Sequence, residues 1–167
     1  PKPSSAASDV YKRQILDSFS ICEDAPSIGL TYGSPSGGLY SGNGITNNTF
    51  NPSLTNNNLS SYQYQFIDSN GCVSSDSSFI TINSLPNTSF ILPNELCLSA
   101  GNLNLYGGIP SGGTYNGTGV LGNELDPLVN GAGLIEITYT YTDSNNCSDS
   151  AMDSLTILPN PVISIIG

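Results

Sequence analysis

The feature that most limits how this chain can fold is an internal repeat of 75 residues. Residues 22–86 align without a gap with residues 97–161, and 23 of the 65 aligned pairs are identical. A repeat of this length predicts two modules of one fold in tandem. We therefore expect module 1 at residues 15–85, module 2 at residues 86–160, and the truncated start of a third copy at residues 161–167.

Segments of strict alternation in each copy predict β-strands with one buried face. In IEITYTYT (135–142) Ile and Tyr alternate with Glu and Thr, and YQYQF (62–66) is the counterpart in the first copy. Asn70-Gly71 then predicts a type I′ hairpin turn, since both turn positions need a positive φ. With about seven short strands per copy and no helical periodicity, the predicted fold class is all-β, two tandem Ig-like Greek-key β-sandwich modules arranged as beads on a string.

The charge distribution excludes several classes of partner. Lys2, Lys12 and Arg13 are the only basic residues, and from residue 15 onward the chain has 12 carboxylates, no His and a net charge of −12. Such a chain offers no cation to phosphate, so we expect no binding to nucleic acid. No apolar run approaches the roughly 20 residues of a membrane span, so no membrane insertion is expected in this segment.

Each copy carries two cysteines that lie 50 positions apart. This repeated spacing predicts one disulfide within each module, Cys22–Cys72 and Cys97–Cys147, each worth on the order of 4 kcal/mol of unfolded-state entropy. A metal site or free thiols are the alternatives, but zinc usually needs a C-x-x-C pair or nearby His. Disulfides would place the chain in an oxidising compartment.

The residue types needed for catalysis are scarce. A hydrolytic triad needs a base, and there is no His anywhere and no Lys after residue 12. The adjacent acids Glu23 and Asp24 could suggest glycoside hydrolysis, but the second copy has Leu98 and Ser99 there, which indicates a solvated turn. We expect no enzyme and no catalytic or cofactor-binding residues.

Calcium is the one cofactor that the sequence weakly suggests. Asp68 and Asp143 occupy matching turns, and Ca²⁺ takes carboxylate ligands from loops. The simpler interpretation is that each Asp caps its own turn by accepting a backbone hydrogen bond. Alternating tyrosines likewise belong either to a sandwich core or, if they face outward, to a surface that stacks on sugars.

SSAASDVYKRQ at residues 4–14 resembles a translated sequencing-library adapter of the transposase type. Two of the three basic residues, Lys12 and Arg13, fall in this stretch. The repeat becomes recognisable only from about residue 15. We therefore interpret residues 1–14 as an adapter-derived or disordered tail, outside the folded modules.

The repeated motifs resemble those of a known group of surface proteins. CEDAP, PSGGLYSGNGI and YQYQFIDSNGC, with CLSAG, PSGGTYNGTGV and ITYTYTDSNNC in the second copy, are similar to tandem Ig-like or PKD-like modules of large secreted, adhesin-like proteins of Bacteroidetes. The resemblance implies an extracellular or cell-surface spacer whose partners are neighbouring modules of the same chain. The alternative is a binding module for surface glycans or proteins, possibly assisted by calcium.

Overall fold

A computed structural model describes residues 18–166, and the predicted tail at 1–14 lies outside this range. The chain divides into two compact units, with the boundary between Ser84 and Leu85. Among residues 18–166 both units are built from β-strands, and the only helical segments are single turns. The all-β prediction is confirmed, and in each unit two sheets lie in a sandwich-like arrangement.

The described part of unit 1 contains seven strands and one 3₁₀ turn. These elements are β1 (Phe19–Cys22), β2 (Ile28–Gly29), β3 (Leu39–Gly42), β4 (Ile45–Thr46), β5 (Thr49–Phe50), the 3₁₀ turn Pro52–Leu54, β6 (Leu59–Ile67) and β7 (Val73–Asn83). One sheet has the order β1-β7-β6-β3 and the other β2-β5-β4. β1 pairs with β7 in parallel, whereas the other pairs are antiparallel.

Unit 2 repeats this arrangement element for element. Its elements are β8 (Glu95–Cys97), β9 (Leu103–Asn104), β10 (Thr114–Asn116), β11 (Val120–Leu121), β12 (Glu124–Leu125), the helical turn α1 (Pro127–Asn130), β13 (Gly133–Thr142) and β14 (Ser148–Leu158). The sheet orders are β8-β14-β13-β10 and β9-β12-β11, and β8 pairs with β14 in parallel. The repeat in sequence is thus a repeat in topology.

The predicted alternation is confirmed in the long strands. In β6 the side chains of Tyr62 and Tyr64 are buried, whereas the next residues along the strand, Gln63 and Gln65, are exposed. In β13 the same pattern buries Ile137 and Tyr139. These inward side chains meet the opposite sheet to form a separate core in each unit. The unit 1 core comprises Leu30, Tyr40, Phe50, Tyr62, Tyr64, Ile80 and Ile82, and that of unit 2 comprises Phe90, Leu92, Leu105, Leu125, Ile137, Tyr139, Leu155 and Ile157.

The hairpin turn between β6 and β7 differs from the predicted type I′ turn. Gly71 has a positive φ of 82° but Asn70 does not, and the Gly71 N–H donates to the Asp68 carbonyl. This is a type I turn followed by one left-handed residue. The Asp68 carboxylate accepts from the Asn70 N–H at 2.8 Å and so favours the type I form. Two successive positive φ values occur instead at Asn47-Asn48, between β4 and β5.

The cysteines also differ from the prediction. Cys22 and Cys147 are disulfide-bonded, whereas Cys72 and Cys97 carry free thiols, so neither Cys22–Cys72 nor Cys97–Cys147 is formed. Cys22 lies opposite Asn83 at the end of β7, and Cys72 directly precedes the start of that strand. The 11 residues of β7 separate the two cysteines by about 35 Å, whereas a disulfide needs Cα atoms within about 7 Å.

The same separation exists in unit 2. Cys97 lies opposite Leu158 at the end of β14, and Cys147 directly precedes the first residue of that strand. The parallel pairing of the first strand of each unit with its last strand therefore places the two cysteines of one copy at opposite ends of the sandwich. Equal spacing in sequence indicated equivalent positions, but not contact.

Candidate functional site

The repeated PSGG motif forms a loop that is closed by a tyrosine from the neighbouring long strand. In unit 2 the Tyr139 hydroxyl accepts from the Gly113 N–H at 2.8 Å and donates to the Pro110 carbonyl. In unit 1 the Tyr64 hydroxyl makes the same two contacts, with Gly38 at 2.7 Å and with Pro35. The motif thus fixes a loop to the core.

A glycine is required at the centre of this contact because there is no room for a side chain. A Cβ on Gly113 would lie 2.3 Å from the Thr140 carbonyl oxygen and 2.5 Å from the Tyr139 ring. On Gly38 it would lie 2.4 Å from the Gln65 carbonyl oxygen. The second glycine of each SGG sequence therefore allows the backbone and the tyrosine ring to approach closely.

A second tyrosine in each copy completes this cluster. The Tyr115 hydroxyl accepts from the Gly108 N–H at 2.9 Å, and its ring centre lies 4.8 Å from that of Tyr139. Tyr40 accepts from the Gly33 N–H in the same way, and burial raises the pKa of its phenol. Tyr40, Tyr64 and Tyr139 are buried in the core, as one of the two predicted interpretations holds, whereas Tyr115 is only partly buried and packs against the core.

Asp68 and Asp143, the two calcium candidates, lie at the long hairpin turns. The Oδ1 atom of Asp143 accepts from the N–H groups of Asn145 at 2.8 Å and Cys147 at 2.9 Å, and Asp68 makes the equivalent pair of bonds. These hydrogen bonds hold the pKa of Asp143 below its ordinary value, with the Cys147 N–H as the largest cause. Each aspartate therefore caps its own turn.

Further metal ligands do not gather around these turns. Within residues 18–166, no group of three or more His, Cys, Asp or Glu side chains could hold a metal ion. Glu23 and Asp24, the adjacent acids considered for glycoside hydrolysis, are both exposed at the turn after β1. Binding of calcium to Asp68 or Asp143 stays a prediction for experiment.

Two aspartates that the sequence interpretation missed hold the first segment of unit 2 against β14. The Asp149 carboxylate accepts from the Thr88 N–H and hydroxyl at 3.3 and 2.7 Å, and Asp153 accepts from the Leu92 N–H at 2.8 Å. The hydrogen bond from the Thr88 hydroxyl is the main reason that the pKa of Asp149 is lowered. Both residues lie on the face of β14 that buries Leu155. Acidic residues at alternate positions that face the core were therefore the sequence signal that could have revealed this role.

An apolar cleft lies in unit 2. It has a volume of about 360 Å³ and is lined by Phe90, Ile91, Leu92, Pro93, Leu103, Asn104, Leu105, Tyr106 and Tyr115. Tyr106 at this cleft is 80% exposed. Thr31 occupies the corresponding repeat position in the first copy, and the exposed tyrosine there is its neighbour Tyr32.

No protein-family model matches the chain, and no curated protein does. No helix among residues 18–166 is long and apolar enough to cross a membrane.

Proposed function

We propose that the chain is a segment of an extracellular spacer built from tandem Ig-like modules. The strand order supports the Ig-like assignment. In unit 1 the sheet β2-β5-β4 corresponds to strands B, E and D of an immunoglobulin sandwich, and β3, β6 and β7 correspond to C, F and G. The first strand, β1, differs from the constant-type arrangement because it joins the G edge in parallel.

The observation that carries the proposal is what the repeated residues do. The tyrosines, the PSGG glycines and the turn aspartates that the copies share all make contacts inside their own unit. A repeated catalytic or binding site would instead place shared polar residues together at the surface. The residues that the two copies share thus stabilise the fold of each copy, which supports a structural module that is used repeatedly.

The net charge and the short connection between the units support the proposed spacer role. A net charge of −12 from residue 15 onward makes the modules repel one another, which resists collapse and aggregation. The connecting residues between β7 and the first contacts of unit 2 are few and include Pro86, whose ring restricts bending. Disulfide-bonded Cys22 and Cys147 are typical of proteins in oxidising compartments, which supports a location outside the cytoplasm.

A ligand-dependent shift in melting temperature tests the spacer proposal. Any ligand that binds the folded state stabilises it by RT ln(1 + [L]/Kd), so a spacer shows no specific response. The chain is melted with and without millimolar Ca²⁺ at an ionic strength matched with Na⁺, because screening alone stabilises so acidic a protein. A rise specific to Ca²⁺ that disappears in the double variant Asp68→Asn, Asp143→Asn would contradict a purely structural role.

Binding of a glycan is the second candidate function, and the cleft beside Tyr106 favours it. An exposed aromatic ring next to an apolar cleft is the arrangement that stacks on a sugar face. We expect a glycan panel to give no saturable shift if the chain is only a spacer. A saturable shift that is lost in Tyr106→Ala and kept in Leu121→Ala, a control whose side chain is 86% exposed, would establish the binding module instead.

A further inference from the structure

The first segment of unit 2 crosses from one side of its sandwich to the other. Ser89 exchanges two backbone hydrogen bonds with Ile109, at 2.9 and 2.8 Å, on the chain that follows β9. Three residues later the Leu92 N–H donates to Asp153 on β14, and β8 then pairs with β14. Pro93, at this crossing, has no N–H with which to continue a ladder. The apolar cleft of unit 2 opens where the segment crosses.

The crossing leaves β9 with an open edge. The Leu105 N–H donates to the Asn123 carbonyl of the neighbouring chain at 2.7 Å. Because antiparallel neighbours alternate between bonded and non-bonded pairs, Asn104, which lies opposite Glu124, directs its own N–H and C=O away from β12. Within residues 18–166, β12 is the only strand that pairs with β9. This edge, termed the open edge of β9, can therefore pair with one more strand.

Apolar side chains surround the open edge of β9. The buried side chains of Phe90, Leu92 and Leu105 line the interior of the cleft. At its rim Ile91 is 85% exposed and Tyr106 is 80% exposed. In strand addition, the backbone of an extended peptide pairs with a sheet edge and its alternate side chains enter apolar pockets. The cleft and the open edge together fit a peptide of this kind.

The charge around the cleft selects among extended peptides. From residue 85 onward the chain has seven carboxylates and no Lys, Arg or His. Glu124 and Asn104 are opposite each other and both exposed, so the Glu124 carboxylate lies on the outward face of the sheet. An added strand would lie about 10 Å from β12, within reach of an outward Lys or Arg side chain. Acidic segments, including those of a second copy of this chain, are repelled.

We propose that the open edge of β9 binds an extended segment of a partner protein in which apolar residues alternate with Lys or Arg. The backbone of the segment pairs with Asn104, its apolar side chains fill the cleft and contact Tyr106, and its basic side chains meet the carboxylates of unit 2. The inference goes beyond the spacer role, because a spacer needs no binding edge. It also assigns the cleft a peptide in place of the glycan considered above.

Fluorescence anisotropy of a labelled, end-capped peptide, Lys-Val-Lys-Val-Lys, titrated with the whole chain, tests the proposal. We expect saturable binding with a Kd below about 1 mM, and binding at least about tenfold weaker when Glu replaces every Lys. The same peptide with all its backbone nitrogens methylated keeps its side chains and charges but cannot donate to a sheet edge. It should bind at least about fivefold more weakly than the unmethylated peptide.

Two variants of the chain locate the site. Asn104→Pro removes the outward N–H and leaves the bonds of Leu103 and Leu105 to the neighbouring strand in place, because an edge strand tolerates proline where its N–H faces solvent. Tyr106→Ala removes the exposed ring. Each should weaken binding at least about fivefold, whereas Leu121→Ala, outside the cleft, should leave it unchanged. Amide exchange in β13 and β14 shows whether unit 2 is folded in each variant.

Three results would overturn the inference: no preference for the Lys peptide over the Glu peptide, no loss of affinity on methylation, or unchanged binding by Tyr106→Ala. A saturable response to a glycan with none to the peptide would overturn it as well. The peptide comparisons use the original chain, so they decide the matter even where Asn104→Pro does not fold. A negative result leaves the spacer proposal intact, since structural modules in tandem need no peptide ligand and the calcium test uses none.

Discussion

Replacement of Tyr139 by phenylalanine removes the hydroxyl that joins the PSGG loop to the core and keeps the ring. The side chain is 1% exposed, and its hydroxyl accepts from Gly113 and donates to Pro110. Each of these hydrogen bonds contributes about 1 kcal/mol net, and a buried group left without its partner costs about 1–3 kcal/mol. We therefore expect Tyr139→Phe to lower the free energy of unfolding of unit 2 by about 2–3 kcal/mol.

Amide hydrogen exchange followed by mass spectrometry measures this change in unit 2 alone. Peptides from β13 and β14 should exchange faster by the factor that corresponds to the lost stability, about 30-fold to 150-fold, whereas peptides from β6 and β7 should be unaffected. Tyr106→Phe is the control, because its side chain is 80% exposed and the expected change is within about 0.5 kcal/mol. A change below about 0.5 kcal/mol for Tyr139→Phe would refute a stabilising role for the loop contact.

Two further substitutions test the loop and the anchored segment. Gly38→Ala should destabilise unit 1 by about 1–3 kcal/mol in urea unfolding, because its Cβ meets a carbonyl oxygen at 2.4 Å, whereas Gly29→Ala, with nothing within 4 Å, should not. The lowered pKa of Asp149 means that its contact with Thr88 contributes fully above the ordinary pKa of 3.8 and is lost as pH falls through the lower folded value. Urea midpoints at pH 6 and pH 3 should therefore differ less in Asp149→Asn than in the original chain, and equal differences would contradict this account.

The sequence was sufficient for features set by local pattern, and insufficient for those set by pairing between distant strands. Alternation in β13 revealed which residues are buried because each side chain in a strand simply faces one side or the other. The prediction of a type I′ turn at Asn70-Gly71 was wrong. The carboxylate of Asp68 accepts from the Asn70 N–H and favours a type I turn over the type I′ turn that Asn-Gly usually forms.

The cysteine pairing shows the limit most clearly. Cys22 and Cys72 have the spacing of a plausible loop, and only the parallel register of Cys22 with Asn83 shows that they lie at opposite ends of β7. That register depends on which edge of the sheet β1 joins, and nothing in its four residues specifies the edge. The roles of Asp149 and Asp153 were missed for a related reason, since their donors lie 61 positions away.

Stretching the chain between its two termini by single-molecule force spectroscopy, under reducing conditions, tests the central claim that the two copies are separate spacer modules. One repeat of 75 residues corresponds to about 260 Å of extended chain at about 3.5 Å per residue. We predict two separate unfolding steps, each of which adds somewhat less than this length because a folded unit already spans part of it. A single step that releases the length of both units together would contradict the account.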